Sequence, residues 1–88
     1  MTKWTVVLSK QAVKDSRNVK LAGLKAQAER ILQILAENPF QTPPRFEKLV
    51  GNLQGFYSRR INVQHRIVYD VDAKARVVHV LRMWTHYE

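Results

Sequence analysis

At 88 residues the chain is too short to build two independent hydrophobic cores, so one domain spanning residues 1–88 is expected. A composition 45% hydrophobic and 25% charged excludes the disordered and low-complexity classes. The absence of cysteine excludes a disulfide framework and a thiolate metal site and suits a reducing cytoplasm.

The balance of 15 Lys plus Arg against 7 Asp plus Glu gives a net charge of +8, which points to a polyanionic partner such as nucleic acid, anionic lipid or an acidic protein. The surplus is even along the chain: residues 1–44 carry seven basic and three acidic groups, and residues 45–88 carry eight and four. The positive potential therefore belongs to the folded body and not to a detachable tail. No charged-then-apolar leader opens the sequence, and no apolar run approaches the roughly 20 residues that span a bilayer. The expectation is a cytoplasmic protein without membrane attachment.

In chain order, Lys3 to Leu8 is short, β-branched and apolar, and predicts a strand. Ser9 then offers an N-cap for a helix opening at Lys10. That helix has only Ala12 and Val13 as apolar anchors before Ser16, Arg17 and Asn18, where a bend is expected. A second helix is written more strongly, with Leu21, Leu24, Ala28, Ile31 and Leu35 at three- and four-residue steps over about five turns, stopped by Asn38-Pro39. Pro39, Pro43 and Pro44 make residues 38–45 a surface linker. After Gly51 and Gly55 come three strand-like runs, Phe56 to Asn62, Gln64 to Val71 and Arg76 to Trp84, with Asp70 to Ala75 as the turn between the last two. Val77 to Leu81 is apolar on both parities except for His79 and predicts an interior strand buried on both faces. The architecture is α+β: an N-terminal strand and two helices packed on one face of an antiparallel sheet, with the other face left as the working surface.

The string from Phe46 to Val71 is more specific. Glu47 followed by Leu49, then Asn52-Leu53-x-Gly55-Phe56-Tyr57-Ser58-Arg59-Arg60-Ile61, then His65-Arg66-Ile67-Val68-Tyr69, and finally His86-Tyr87, resemble in identity and spacing the YoeB/Txe branch of the RelE superfamily. Val50 and Gly51 stand where relatives often carry basic or imidazole side chains. The resemblance covers roughly the C-terminal half and implies a RelE-like fold. It also implies a toxin of a type II toxin-antitoxin system: an endoribonuclease, or mRNA interferase, that cleaves mRNA in the ribosomal A site and so inhibits translation. The implied partners are an acidic cognate antitoxin, the ribosome and its mRNA, and operator DNA only through the antitoxin complex; a homodimer is left open.

Metal-free RNA cleavage needs a base for the 2′-hydroxyl proton, an acid for the departing 5′-oxygen, and cations for the phosphate. What the resemblance implies is Glu47 as base, His86 as acid, Arg66 in the catalytic set with Arg60 and Arg59 as RNA or phosphate contacts, and Tyr87 as a ring that stacks on or orients the nucleotide. Arg59 and Arg60 are strand neighbours and point to opposite faces. Arg60 shares parity with the polar residues Ser58 and Asn62 and is the better placed of the two. Arg66 joins it only if the intervening loop has an odd number of residues, and that register is open. His65 and His79 are read as a hairpin residue and a packed strand residue. No paired histidine spacing or Gly-rich phosphate loop is present, so neither metal nor cofactor is expected. Two rivals are a ParE-like protein that binds DNA gyrase and a plain nucleic-acid-binding module with Phe56, Tyr57 and Trp84 as stacking platforms.

Overall fold

The computed structural model describes residues 3–43 and 45–86, the last two in their backbone only. Strand β1 (Thr5–Leu8) leads into helix α1 (Lys10–Leu21) and helix α2 (Lys25–Glu37); strands β2 (Phe46–Lys48), β3 (Tyr57–Arg60), β4 (His65–Asp72) and β5 (Val77–His86) follow. They form one five-stranded sheet in the order β1-β5-β4-β3-β2. The α+β class and the helices on one sheet face are as expected. The sheet is mixed and not wholly antiparallel, because β1 pairs in parallel with β5, Thr5 facing Val77. The two helices supply the crossover that a parallel pair requires.

Ser9 caps α1 as its position predicts: its Oγ accepts from the Ala12 amide at 3.0 Å and donates to the Leu81 carbonyl at 2.8 Å. The expected bend at residues 16–18 does not occur, since α1 runs unbroken to Leu21. The break falls at Gly23, whose φ of +75° suits a residue without Cβ. The Leu24 amide donates to the Val19 carbonyl and the Gly23 amide to that of Lys20, the 6→1 and 5→2 pair of a Schellman stop. Leu21 thus ends α1 with 85% of its surface exposed and does not begin α2.

The core is a cluster of Ala12 and Val19 from α1, Ala28, Ile31 and Leu35 from α2, and Ile61, Ile67, Tyr69, Val78, Val80 and Met83 from the sheet side. Val78 and Val80 are fully buried, but β5 is covered on one face only. His79 points outward, half exposed, with its Nδ1 2.8 Å from Asp70 Oδ1, so it is not a packed histidine. His65, by contrast, is 5% exposed and stacks on Trp84 with ring centroids 3.7 Å apart. Among the described residues no helix is long and apolar enough to cross a membrane.

The pairing of β4 with β5 shifts register twice, between Arg66 and Val68 and between Val68 and Tyr69, which bends and twists the strand that carries the chain to residue 86. Asp15 of α1 anchors this region. Its buried carboxylate accepts from Arg82 Nε at 2.8 Å, the Met83 amide at 3.1 Å and Gln11 Nε2 at 2.9 Å. Burial alone would raise the pKa of Asp15; the bonds from Arg82, Gln11 and Met83 outweigh it, and the net shift is downward from 3.8. A depressed folded-state pKa stabilises the protein above the unfolded value, and this contribution is lost as pH falls through the folded one. Asp15→Asn is therefore expected to lower stability at pH 7 by about 1–3 kcal/mol, by weakening charge-assisted bonds at a buried position. Urea unfolding across pH should show the difference from wild type shrinking below about pH 3.8.

Candidate active site

β2 is three residues long, lies at the sheet edge, and falls within the stretch that sequence patterning left unassigned between the linker and Phe56. It forms because Phe46, Glu47 and Lys48 pair with Arg59, Ser58 and Tyr57 of β3. Ser58 in turn faces Val68, and Arg60 faces Arg66, across β3 and β4. Directly paired residues share a face, so Arg60 and Arg66, paired across β3 and β4, project to the same side. This resolves the open register. Alternation then places Glu47, Ser58, Arg60 and Arg66 on one face and Ile67 and Tyr69, both in the core beneath the helices, on the other.

On that open face Arg45, Glu47, Ser58, Arg60 and Arg66 line a cleft of about 440 Å³. Arg66 Nη1 lies 3.2 Å from Glu47 Oε2 and donates to Ser58 Oγ at 3.3 Å. The Arg66 side chain is only 11% exposed, whereas that of Glu47 is 40% exposed. A cation held from below thus sits beside a carboxylate that solvent reaches. The 3.2 Å separation exceeds the roughly 2.7–2.9 Å of a tight charge-assisted bond, so the carboxylate retains acceptor capacity toward the cleft. Its partner is Arg66 across two strands, not its neighbours Arg45 or Lys48.

Arg59, grouped with Arg60 as a phosphate contact on sequence grounds, has a different place. It is 1% exposed and its guanidinium is on the face opposite the cleft. Nε donates to Tyr69 Oη at 3.0 Å, Nη2 to the Pro39 and Gln41 carbonyls at 2.9 and 2.8 Å, and Cζ lies 5.0 Å from the Phe46 ring centroid. Burial pushes the Tyr69 pKa up, partly opposed by the Arg59 charge and hydrogen bond. The protonated hydroxyl also donates to the Pro39 carbonyl at 3.3 Å. Arg59 and Tyr69 therefore fasten the proline-bearing linker to the underside of the strand that presents Glu47. Tyr57 packs edge-on against Phe40 and Phe46 and stacks on Tyr69. With Trp84 stacked on His65, neither ring is a free platform for bases.

The backbone of Thr85 faces Arg66, and that of His86 faces His65, so it is Thr85 that pairs with the strand position of the cleft arginine. The side chain of His86, and Tyr87, lie outside the described residues. Arg45 and Ser58 are the cleft residues not assigned a role from sequence. The parity shared by Ser58 and Arg60 was the signal for Ser58. Arg45, after two prolines, carried none.

Two helices over one face of a mixed sheet, with a carboxylate and arginines on the other, define a small basic α+β protein of the RelE-like architecture. The chain belongs to the YoeB-like toxins of bacterial type II toxin-antitoxin systems, whose family model matches residues 10–87. It is 37% identical over 73 residues to Toxin YoeB of Escherichia coli O6:H1, covering 83% of this chain and 77% of that one. For other curated YoeB relatives the match is shorter, and the chain spans 48% of one and 61% of another. Among solved structures it resembles a YoeB/ParE toxin from Agrobacterium tumefaciens, with 25% identity, a TM-score of 0.83 and coverage of 94% and 99% of the two chains. It also resembles the toxin chain of a YoeB-YefM complex from Staphylococcus aureus, with 30% identity, a TM-score of 0.77 and coverage of 97% and 99%.

Proposed function

We propose that this toxin is a ribosome-dependent endoribonuclease that cuts mRNA in the A site and so halts translation, its 88 residues acting as a single domain in the cytoplasm. The observation that carries the reading is the Glu47 carboxylate, solvent-reached and 3.2 Å from Arg66, in a cleft whose other charged walls are Arg45 and Arg60. Glu47 removes the proton from a ribose 2′-hydroxyl, and the 2′-oxygen attacks the adjacent phosphorus. Arg66 and Arg60 stabilise the charge that builds on the non-bridging oxygens. His86 gives a proton to the departing 5′-oxygen, with Tyr87 orienting the nucleotide. The products are a 2′,3′-cyclic phosphate and a new 5′-hydroxyl, with protons and charge balanced and no metal required.

Alignment of the substrate falls to the ribosome, which holds the message in place. An acidic antitoxin, ordered on binding, is the partner that the charge of +8 suits; the S. aureus neighbour was solved in complex with YefM. Operator DNA would be reached only through that complex. The test is a cell-free translation reaction with a defined message and primer extension to map cut ends. Cuts confined to ribosome-bound message are expected. Intact message would sink the reading and direct attention to a gyrase-binding or plain nucleic-acid-binding role.

A further inference from the structure

The cleft does not end at Arg60. The same side chain is a wall of a second groove of about 390 Å³, lined also by Gln27, Arg30, Ile31, Ile34, Pro43 and Ile61, which runs from the sheet edge onto α2. Its floor is apolar and its charged rim is wholly basic. Among the described residues neither Arg30, Arg45 nor Arg60 makes an ion pair, whereas Arg66 and Arg82 are each engaged by a carboxylate. Arg60 is thus shared, without an ion pair among the described residues, by two adjoining cavities, and the volume of the second falls in the range of small-ligand sites, about 300–1,000 Å³.

We infer that this groove is a subsite for the nucleotide next to the scissile one: its base lies on Ile34 and Pro43, above the buried Ile31 and Ile61, and its phosphate lies between Arg30 and Arg60. The inference rests on the proposed endoribonuclease reading and extends it. The occupant is single-stranded RNA because the groove is continuous, through Arg60, with the cleft that takes the scissile phosphate. A base laid on aliphatic side chains, with an arginine fork on its phosphate, matches both the apolar and the charged parts of the lining. Binding of this kind positions the message without entering the chemistry, so it acts on affinity and on which codons are cut.

The experiment measures cleavage of ribosomes programmed with a defined message, for wild type, Arg30→Ala, Arg30→Lys and Ile34→Ala. Arg30 is exposed on α2, so its substitutions leave the fold intact, which circular dichroism checks. Arg30→Ala is expected to raise KM for programmed ribosomes about tenfold, the loss of one charge-assisted phosphate contact, with kcat within twofold and partial recovery in Arg30→Lys. In parallel, messages carrying an abasic residue at each neighbour of the scissile nucleotide are compared. At one position the missing base is expected to raise KM about fivefold for wild type and to add little for Ile34→Ala, since the apolar floor is already cut back. The inference requires both results. Unchanged KM in Arg30→Ala overturns it, and so does an Arg30 effect without the abasic coupling, which would place Arg30 against ribosomal RNA. Absence of any cleavage by wild type overturns the endoribonuclease reading itself and takes the subsite with it.

Discussion

Glu47→Gln is expected to leave a folded, antitoxin-binding protein that cuts ribosome-bound message about 10²–10⁴-fold more slowly, the range over which a positioned base accelerates proton transfer. The amide has nearly the shape of the carboxylate and retains an oxygen facing Arg66, so the β2–β3 pairing and the cleft survive. What disappears is the basicity and the negative charge beside Arg66. Stability should change little, because the carboxylate is 40% exposed and a half-solvated ion pair is worth about 1 kcal/mol or less. Single-turnover cleavage with saturating toxin isolates the chemical step. A rate within threefold of wild type would remove Glu47 from the reaction and leave it as a structural partner of Arg66.

Arg59→Met should act almost in the opposite sense, with its first effect on stability. Removal of the guanidinium takes one donor from each of the Tyr69 hydroxyl and the Pro39 and Gln41 carbonyls, leaving the buried Tyr69 hydroxyl and Pro39 carbonyl with only each other. Each unsatisfied buried polar group costs about 1–3 kcal/mol, and loss of the cation over Phe46 adds about 0.5–1 kcal/mol; a total near 3–5 kcal/mol follows. Stabilities of about 0.05–0.15 kcal/mol per residue make this a large part of the whole, and a fall in Tm of roughly 15 °C or more is expected. Arg59→Lys keeps the charge but not the fork and should recover only part of it. Thermal unfolding of both variants decides the matter. If Arg59→Met melts within about 5 °C of wild type, the linker is held by the aromatic cluster and not by the guanidinium.

The contrast between Arg59 and Arg60 also shows how far the amino-acid order could be read. Strand alternation separates the two arginines onto opposite faces without any coordinates, but it cannot say what waits on the far side of Arg59. That depends on Tyr69, ten residues on, and on Pro39 and Gln41, about twenty residues back, converging through the fold. The cap at Ser9, the end of α2 at Asn38-Pro39 and the last two strands are local matters and were legible. The Leu21 error arose because the apolar rhythm runs on across Gly23, where a backbone reversal resets the phase. β2 escaped notice because three residues between a proline linker and two glycines show no period. The parallel partner of β1 is set by pairing over some seventy residues, which no window of sequence contains. Within the candidate site, Glu47, Arg60 and Arg66 were named through the family resemblance; what the structure adds is that pairing across β2, β3 and β4 brings them into one cleft.

That same parallel pair bears on when the protein takes shape. Thr5 finds Val77 and Asp15 finds Arg82, so the first strand and first helix reach their partners in β5 only when nearly the whole chain has been synthesised. The β2–β3–β4 meander closes through short loops and is entropically cheap to form, but on its own it is a small sheet with its Ile67 and Tyr69 face uncovered. A nascent chain emerging from the ribosome therefore cannot complete its core until β5 is free of the exit channel. For a protein whose family is defined by toxicity, the strand that completes the fold is thus the last one to be made.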